Sequence, residues 1–217
     1  MKKLIVLLSL FLFACSALKT TDTLLSEIWN NDQQPRQQML KLTKAVMVDG
    51  RAELIDSLLL LNKIVERNDK RNIKVIDNIL KGGLPQGLSE ESYKTIWIVI
   101  DHASLDKQEQ YLPLIEEMSQ NGLIGKDEHA ILYDRIAMKR NYPQRYGSQT
   151  VQFGKPDTMN LYVYPVENPA LLDSLRSSVG MSPMEEYLKQ LTKTTGIEAK
   201  YDAELTIEQI EAMRGIF

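Results

Sequence analysis

The side chains best suited to chemistry in this 217-residue chain are concentrated between positions 134 and 149. Asp134 and Arg135 are adjacent on a predicted helix, and nearly every residue from 144 to 149 carries a hydrogen-bonding group. Arg145, within that run, offers a planar fork of five donors that matches carboxylate and phosphate groups. The stretch therefore predicts either a polar ligand-binding pocket or a buried hydrogen-bond network that stabilises the fold.

Polar residues from other parts of the chain are expected to join this stretch. His102 follows the most apolar predicted helix, where it could serve as a general base or simply interact with the helix C-terminus. The candidate ligand-binding residues are Gln33, Arg36, His102, Asp134, Arg135, Gln144, Arg145, Tyr146, Gln149 and Arg176.

The sequence carries no recognisable catalytic or metal-binding motif. Its two histidines, His102 and His129, lack the spacing of a zinc motif, so we predict no metal site and no cofactor. Gly147-Ser148 lacks the flanking glycines of a nucleophile elbow. These features favour binding over catalysis, and the alternative is a hydrolase or lyase in which His102 and Asp134 form an acid/base pair.

The N-terminus predicts export and lipid attachment. Two lysines precede a run of about ten apolar residues, which is too short to span a membrane and typical of a signal peptide. The run ends in Leu12-Phe13-Ala14-Cys15, which resembles the lipobox of bacterial lipoproteins. That resemblance implies a signal peptide at residues 1–14 and a lipid on Cys15; the alternative is an ordinary secreted protein. We expect a periplasm-facing protein of the bacterial cell envelope that contacts the membrane through this lipid.

Composition narrows the partners further. The chain has 26 Lys and Arg against 29 Asp and Glu, a formal net charge of −3. Nucleic-acid binding needs clustered basic residues, so we expect no nucleic-acid partner. Cys15 is the only cysteine, so a lipidated protein would form no disulfide and its stability must come from its core.

Beyond a lipidated tether at residues 15–23, apolar periodicity predicts helices. One helix is expected to end near Asn30-Asn31, and Asp32 would cap the next, with Pro35 in its first turn. The strongly helical segment 51–81 is expected to break at residues 67–69, where Asp69 would cap its second half.

Three more helices are predicted to begin near Ser89, Leu105 and Lys126. After Pro143 the pattern changes, and two alternating segments, 150–153 and 161–164, predict a β-hairpin.

Two capping boxes, at residues 182–185 and 206–209, predict helices in the tail. The predicted fold class is therefore mainly α: a bundle-like single domain over residues 24–217, with many helices and a small β-hairpin near residues 147–165.

Several of these polar segments together resemble an uncharacterised bacterial family that is classed as a domain of unknown function. The segments are Asp32-Gln33…Arg36, Asp101-His102-Ala103, Asp134-Arg135, the run from Gln144 to Gln149, Arg176…Val179-Gly180-Met181, and Glu186-Tyr187. The family pattern has Gln where this chain has Asp101, and Thr where it has Ser148. The resemblance covers about residues 24 to 190 and implies that the polar positions belong together, but it supplies no activity.

The main hypothesis is a cell-envelope lipoprotein of unknown function that does not catalyse a reaction. It would bind a small polar ligand or an envelope protein through the polar cluster centred on residues 134–149. The alternative remains an envelope hydrolase or lyase.

Overall fold

A computed structural model describes the backbone of residues 2–47, 50–153 and 160–214, and the side chains of residues 20–46, 50–153 and 160–213. The side chain of Cys15 and the predicted hairpin turn at residues 154–157 lie outside this description. The fold is mainly α with a small sheet, as predicted. None of the helices in the described ranges combines the length and the apolar character that crossing a membrane requires.

Eight α-helices and three strands make up the described fold. The helices are α1 (Lys2–Met47), α2 (Ile55–Leu80), α3 (Glu90–Asp101), α4 (Leu105–Gln120), α5 (Lys126–Lys139), α6 (Leu172–Ser178), α7 (Met184–Thr195) and α8 (Ile207–Arg214). The strands are β1 (Thr150–Phe153), β2 (Asn160–Val163) and β3 (Glu198–Lys200). Short 3-10 turns, Ala52–Leu54 and Pro169–Leu171, precede α2 and α6.

Helix α1 continues through the point where the sequence predicts two helices, so the predicted boundary at Asn30-Asn31 is wrong. Pro35 lies inside α1, where it has no N–H to donate to the carbonyl of Asn31 four residues earlier. The side-chain amide of Asn68 on α2 donates to that carbonyl instead, over 2.7 Å. Because the carbonyl keeps a partner, the helix can continue, and Asp32 lies buried inside it rather than capping it.

Helix α2 is also continuous, so the predicted break at residues 67–69 is wrong. Asp69 caps no helix, because its carboxylate accepts two hydrogen bonds of 2.8 Å from Arg36 on α1. A polar run within a helix need not interrupt it when a neighbouring helix provides its partners. Helix α2 ends at Leu80, close to the end of the predicted segment 51–81, and Gly83 beyond it has a φ of +92°.

Replacing Asn68 with alanine should lower the free energy of unfolding by about 1 kcal/mol, because the Asn31 carbonyl loses its donor. In a Pro35→Ala background the same substitution should cost less than about half as much, since position 35 regains an N–H that can pair with that carbonyl. Urea unfolding of the four proteins measures both costs. Equal costs in the two backgrounds would contradict this explanation of the continuous helix.

The main core forms around α3, the helix that the sequence predicts to be apolar on all sides. Ile96 and Ile100 are completely buried, and each such side chain stabilises the fold by roughly 1.5–3 kcal/mol. The indole N–H of Trp97 donates to the carbonyl of Glu128, over 2.8 Å, and so ties α3 to α5. Helix α3 is therefore a firm support for His102, which lies at its C-terminal end as predicted.

The predicted hairpin is confirmed, and a third strand extends it. Strand β1 pairs antiparallel with β2, with Thr150 opposite Val163. Strand β3 pairs parallel with the other edge of β2, with Leu161 opposite Ala199. Because β3 has only three residues and no alternating pattern, the sequence did not predict it.

The two predicted capping boxes of the tail helices have different outcomes. The capping box at Thr206 is confirmed, since its N–H donates to Gln209 over 2.8 Å and the Gln209 N–H donates to the Thr206 hydroxyl over 3.3 Å. The box predicted at residues 182–185 is wrong: α7 begins after Pro183, and Asp173 accepts the N–H of Met184 instead. A carboxylate from α6, rather than the predicted Ser182, therefore caps the N-terminus of α7.

Candidate functional site

The structure divides the predicted site residues between two polar clusters. The first, the turn cluster, surrounds residues 145–148 between α5 and β1. The second, the interhelical cluster, lies where α1, α2 and the end of α3 meet, and it contains Gln33, Arg36 and His102.

Asp134 is the centre of the turn cluster, and its side chain is fully buried. Its carboxylate accepts backbone N–H bonds from Arg145 at 2.8 Å, Tyr146 at 3.1 Å and Ser148 at 3.0 Å. Burial raises the pKa of the Asp134 carboxyl above its ordinary value, although the three amides act in the opposite direction. These donors occupy the carboxylate, so it anchors the turn rather than facing a substrate.

Gly147 allows the turn to close against the tail helices. Its φ is +65°, in the left-handed region that favours glycine. A Cβ atom there would lie 2.8 Å from the Cε of Met184 and 3.3 Å from a methyl group of Leu172. Glycine at this position therefore lets the backbone turn into β1 without a steric clash.

Gln144 secures the turn to the hairpin through a buried side-chain amide. Its Nε2 donates to the carbonyls of Gln149 and Tyr164, over 3.0 and 2.6 Å. Its Oε1 accepts the backbone N–H of Gln149 at 2.8 Å. Gln144 therefore satisfies three backbone groups of the fold, which matches the structural alternative left open by the sequence.

Arg176 from α6 closes the turn cluster from the other side, and only 2% of its surface is exposed. Its Nε donates to the carbonyl of Ser182, and its Nη1 donates to those of Tyr146 and Gly147, over 2.7, 2.8 and 3.3 Å. The guanidinium also lies 4.8 Å from the centre of the Tyr187 ring. Burial lowers the pKa of Arg176. Within the described ranges, its direct partners are carbonyl oxygens and an aromatic face, not a carboxylate.

A cleft of about 740 Å³ opens beside the turn cluster, between α5, the start of β1 and α7. We call it the arginine cleft. Its charged lining consists of Arg135, Arg176 and Asp127, and its neutral polar lining includes Ser148, Gln149, Tyr187 and Gln190. Its volume is in the range of small-molecule binding sites.

Arg135 brings the more accessible charge to the arginine cleft. Its Nε donates to the buried carboxylate of Asp101 over 2.8 Å, and 29% of its side chain is exposed. The described residues give this guanidinium no other hydrogen bond. The two terminal nitrogens are therefore available to a ligand in the cleft.

The interhelical cluster is organised around the buried carboxylate of Asp32. The Nδ1 atom of His102 lies 3.1 and 3.2 Å from its two oxygens, and the Gln33 amide donates to it over 2.7 Å. Arg36 lies 3.2 Å from the same carboxylate and 2.8 Å from Asp69. Asp32 and Asp69 were not predicted as site residues, because their positions in the sequence are typical of helix caps. For Asp32 a signal was present: Arg36 follows it by four residues, a spacing that places the two side chains on the same face of a helix.

The hypothesis of an acid/base pair gains no support from this geometry. His102 pairs with Asp32, whereas Asp134 pairs with backbone amides of the turn cluster. Arg145 also differs from its expected role, because its side chain is exposed and lies over the Tyr146 ring at 5.8 Å. Of the ten predicted binding residues, the arginine cleft is lined by Arg135, Gln149 and Arg176.

Comparison with known protein families assigns most of the chain to one family. A family model described as "Family of unknown function (DUF6624)" matches residues 21–200. The chain belongs to this family. The matched range includes both polar clusters and the arginine cleft, and it confirms the resemblance to a family without an assigned activity. No curated protein and no solved structure matches the chain.

Proposed function

We propose that this protein is a cell-envelope lipoprotein that binds a small anionic ligand, bearing a carboxylate or phosphate group, in the arginine cleft. The observation that carries the proposal is the pair of guanidinium groups on one cleft. Arg176 is buried with carbonyl partners, and Arg135 has terminal nitrogens to offer.

A buried charge is costly unless another charge or a full set of hydrogen bonds compensates it. At Arg176 the three carbonyl bonds, the Tyr187 ring and the nearby carboxylates of Asp173 and Asp134 give part of that compensation, and a bound anion would add to it. The planar guanidinium is also the side chain best matched to carboxylate and phosphate oxygens.

Neutral groups of the cleft support recognition of a polar ligand. The Nε2 of Gln149 is 3.1 Å from the Ser148 hydroxyl, and the Tyr187 hydroxyl donates to the Ser148 carbonyl over 2.9 Å. These contacts hold the side chains in place before a ligand arrives, which reduces the entropy cost of binding. The Ser148 hydroxyl accepts from the Gln149 amide and interacts with the Asp134 carboxylate, which the turn amides already occupy. This arrangement suits binding better than nucleophilic catalysis.

The lipoprotein part of the proposal is supported by the N-terminal pattern. A basic start, a short apolar run and Cys15 follow one another in the order that lipid attachment requires. A lipid at Cys15 would leave the arginine cleft on a domain tethered to the membrane. Metabolic labelling with a radioactive fatty acid checks this part directly.

Calorimetric titration of the purified full-length protein with citrate and with inorganic phosphate, at fixed ionic strength, tests the ligand. We expect at least one of the two anions to bind. Arg135→Gln should weaken that binding at least about tenfold, because it removes a charge-assisted contact. The two arms distinguish a carboxylate ligand from a phosphate ligand.

Arg140→Gln is the matched control, because Arg140 follows α5 directly and pairs with Glu109 outside the arginine cleft. It should leave anion affinity unchanged. The proposal is wrong if neither anion binds, or if Arg135→Gln binds the anion as tightly as the wild type does.

A further inference from the structure

Three side chains with metal-binding atoms converge in the interhelical cluster. They are Asp32 from α1, Asp69 from α2 and His102 from the end of α3, and their ligand atoms all lie within 4.8 Å of one another. We propose that these three side chains form a binding site for a divalent transition-metal ion such as Zn²⁺. This site is separate from the arginine cleft and does not depend on the function proposed for it.

The donor set suits such an ion. Two carboxylates and one imidazole are ligands that Zn²⁺ takes, whereas Mg²⁺ and Ca²⁺ prefer sites made of oxygen alone. Ligands at 2.0–2.2 Å from a tetrahedral ion are about 3.4 Å apart. His102 Nδ1 and Asp32 Oδ1 are already 3.1 Å apart, so an ion would displace the proton between them, which is released on binding. The Asp69 carboxylate, within 4.8 Å of both atoms, would have to move by roughly 1–2 Å.

The surroundings of the three ligands also fit a metal site. Asp32 is fully buried, and the Gln33 amide holds its Oδ1, the kind of outer hydrogen bond that orients a ligating carboxylate. The side chains of Asp69 and His102 are 20% and 17% exposed, which leaves a route for the ion. Three protein ligands would leave a fourth position for water.

Arg36 now bridges the two carboxylates in the way that a cation would. Its Nη2 is 2.8 Å from both oxygens of Asp69, and its Nη1 is 3.2 Å from Asp32. The two carboxylates and one guanidinium together carry one net negative charge. The long Arg36 side chain, 20% exposed, can turn to solvent when an ion enters. Arg36 should therefore compete with the metal, and its removal should strengthen metal binding.

The prediction of no metal site rested on the number of histidines and their spacing. Asp32, Asp69 and His102 are far apart in sequence and belong to no linear motif. Only the packing of α1 and α2 against the end of α3 brings them together.

Titration of the chelator-treated full-length protein with Zn²⁺ tests the proposal. We expect one ion per chain, with affinity at least about tenfold lower in His102→Ala and in Asp69→Asn. Asp77→Asn is the matched control, because this carboxylate also lies on α2 but pairs with Lys107 at 2.8 Å. It should bind Zn²⁺ as the wild type does.

The Arg36→Gln variant gives the decisive measurement, because it removes the competing guanidinium and retains Asp32, Asp69 and His102. It should bind Zn²⁺ at least about tenfold more tightly than the wild type, and Zn²⁺ should raise its melting temperature more. This arm decides the question even if His102→Ala does not fold. The proposal is overturned if Zn²⁺ raises the melting temperature of neither the wild type nor Arg36→Gln, or if a folded His102→Ala protein binds Zn²⁺ like the wild type.

Discussion

Replacing Asp134 with alanine should lower the free energy of unfolding by roughly 3–5 kcal/mol. The substitution leaves the buried backbone N–H groups of Arg145, Tyr146 and Ser148 without their acceptor. Each unsatisfied buried donor costs about 1–3 kcal/mol, and some of that cost returns if water enters the space. Urea unfolding, followed by circular dichroism, measures the difference.

Asp173→Ala is the graded control for this prediction. The exposed Asp173 carboxylate accepts a single backbone N–H, that of Met184, so its loss should cost only about 1 kcal/mol. If the two alanine variants were equally stable, Asp134 would not be the anchor of the turn.

The pH dependence of stability separates the charge of Asp134 from its hydrogen bonds. Burial raises the pKa of this carboxyl from its ordinary value of 3.8, so the folded protein holds the proton more tightly than the unfolded chain does. The stability that comes from this difference is full below pH 3.8 and is lost as pH rises through the folded pKa. As the pH rises from about 4, the wild type should therefore lose stability relative to Asp134→Asn. A pH-independent difference would contradict the raised pKa.

Replacing Arg176 with methionine should lower the free energy of unfolding by about 3 kcal/mol. Methionine fills part of the space but leaves the carbonyls of Ser182, Tyr146 and Gly147 without their donor. Arg176→Lys should recover less than half of the loss, because a lysine lacks the planar fork that reaches several carbonyls at once. Urea midpoints at constant m-value report both effects.

Arg140→Met provides the comparison for a surface arginine. Its bond to Glu109 is as short as 2.6 Å, but water reaches both side chains, so the loss of stability should be small. A cost for Arg176→Met no larger than that of Arg140→Met would mean that the buried guanidinium does not hold the turn cluster together.

The sequence predicted most helices because each carries its own local signals. Helix α4 begins at Leu105 as predicted, and Ser89 caps α3 by accepting the N–H of Ser92. The two predicted helix breaks, at Asn30-Asn31 and at residues 67–69, were wrong for the same reason. Asn68 and Arg36 supply partners across the α1–α2 interface, and no local pattern shows a partner from another helix.

The candidate site was predicted less completely than the fold. The sequence identified Arg135, Gln149 and Arg176, which line one cleft, but it grouped them with His102, which belongs to the interhelical cluster. Polar residue type indicates that a side chain needs partners, whereas its direction on a helix decides which partners it reaches. Asp101 illustrates this, since it and the adjacent His102 pair with Arg135 and Asp32 respectively.

By itself, the sequence determined the mainly α fold, the hairpin and the importance of residues 134–149, because periodicity, caps and turn residues act over a few positions. Tertiary structure decided what that stretch does. Long-range packing turned Asp134 and Gln144 inward to satisfy backbone groups, and it left Arg135 and Gln149 on the wall of a cleft. Buried polar groups must find partners wherever the packed chain places them, and those partners came from segments that no local pattern connects.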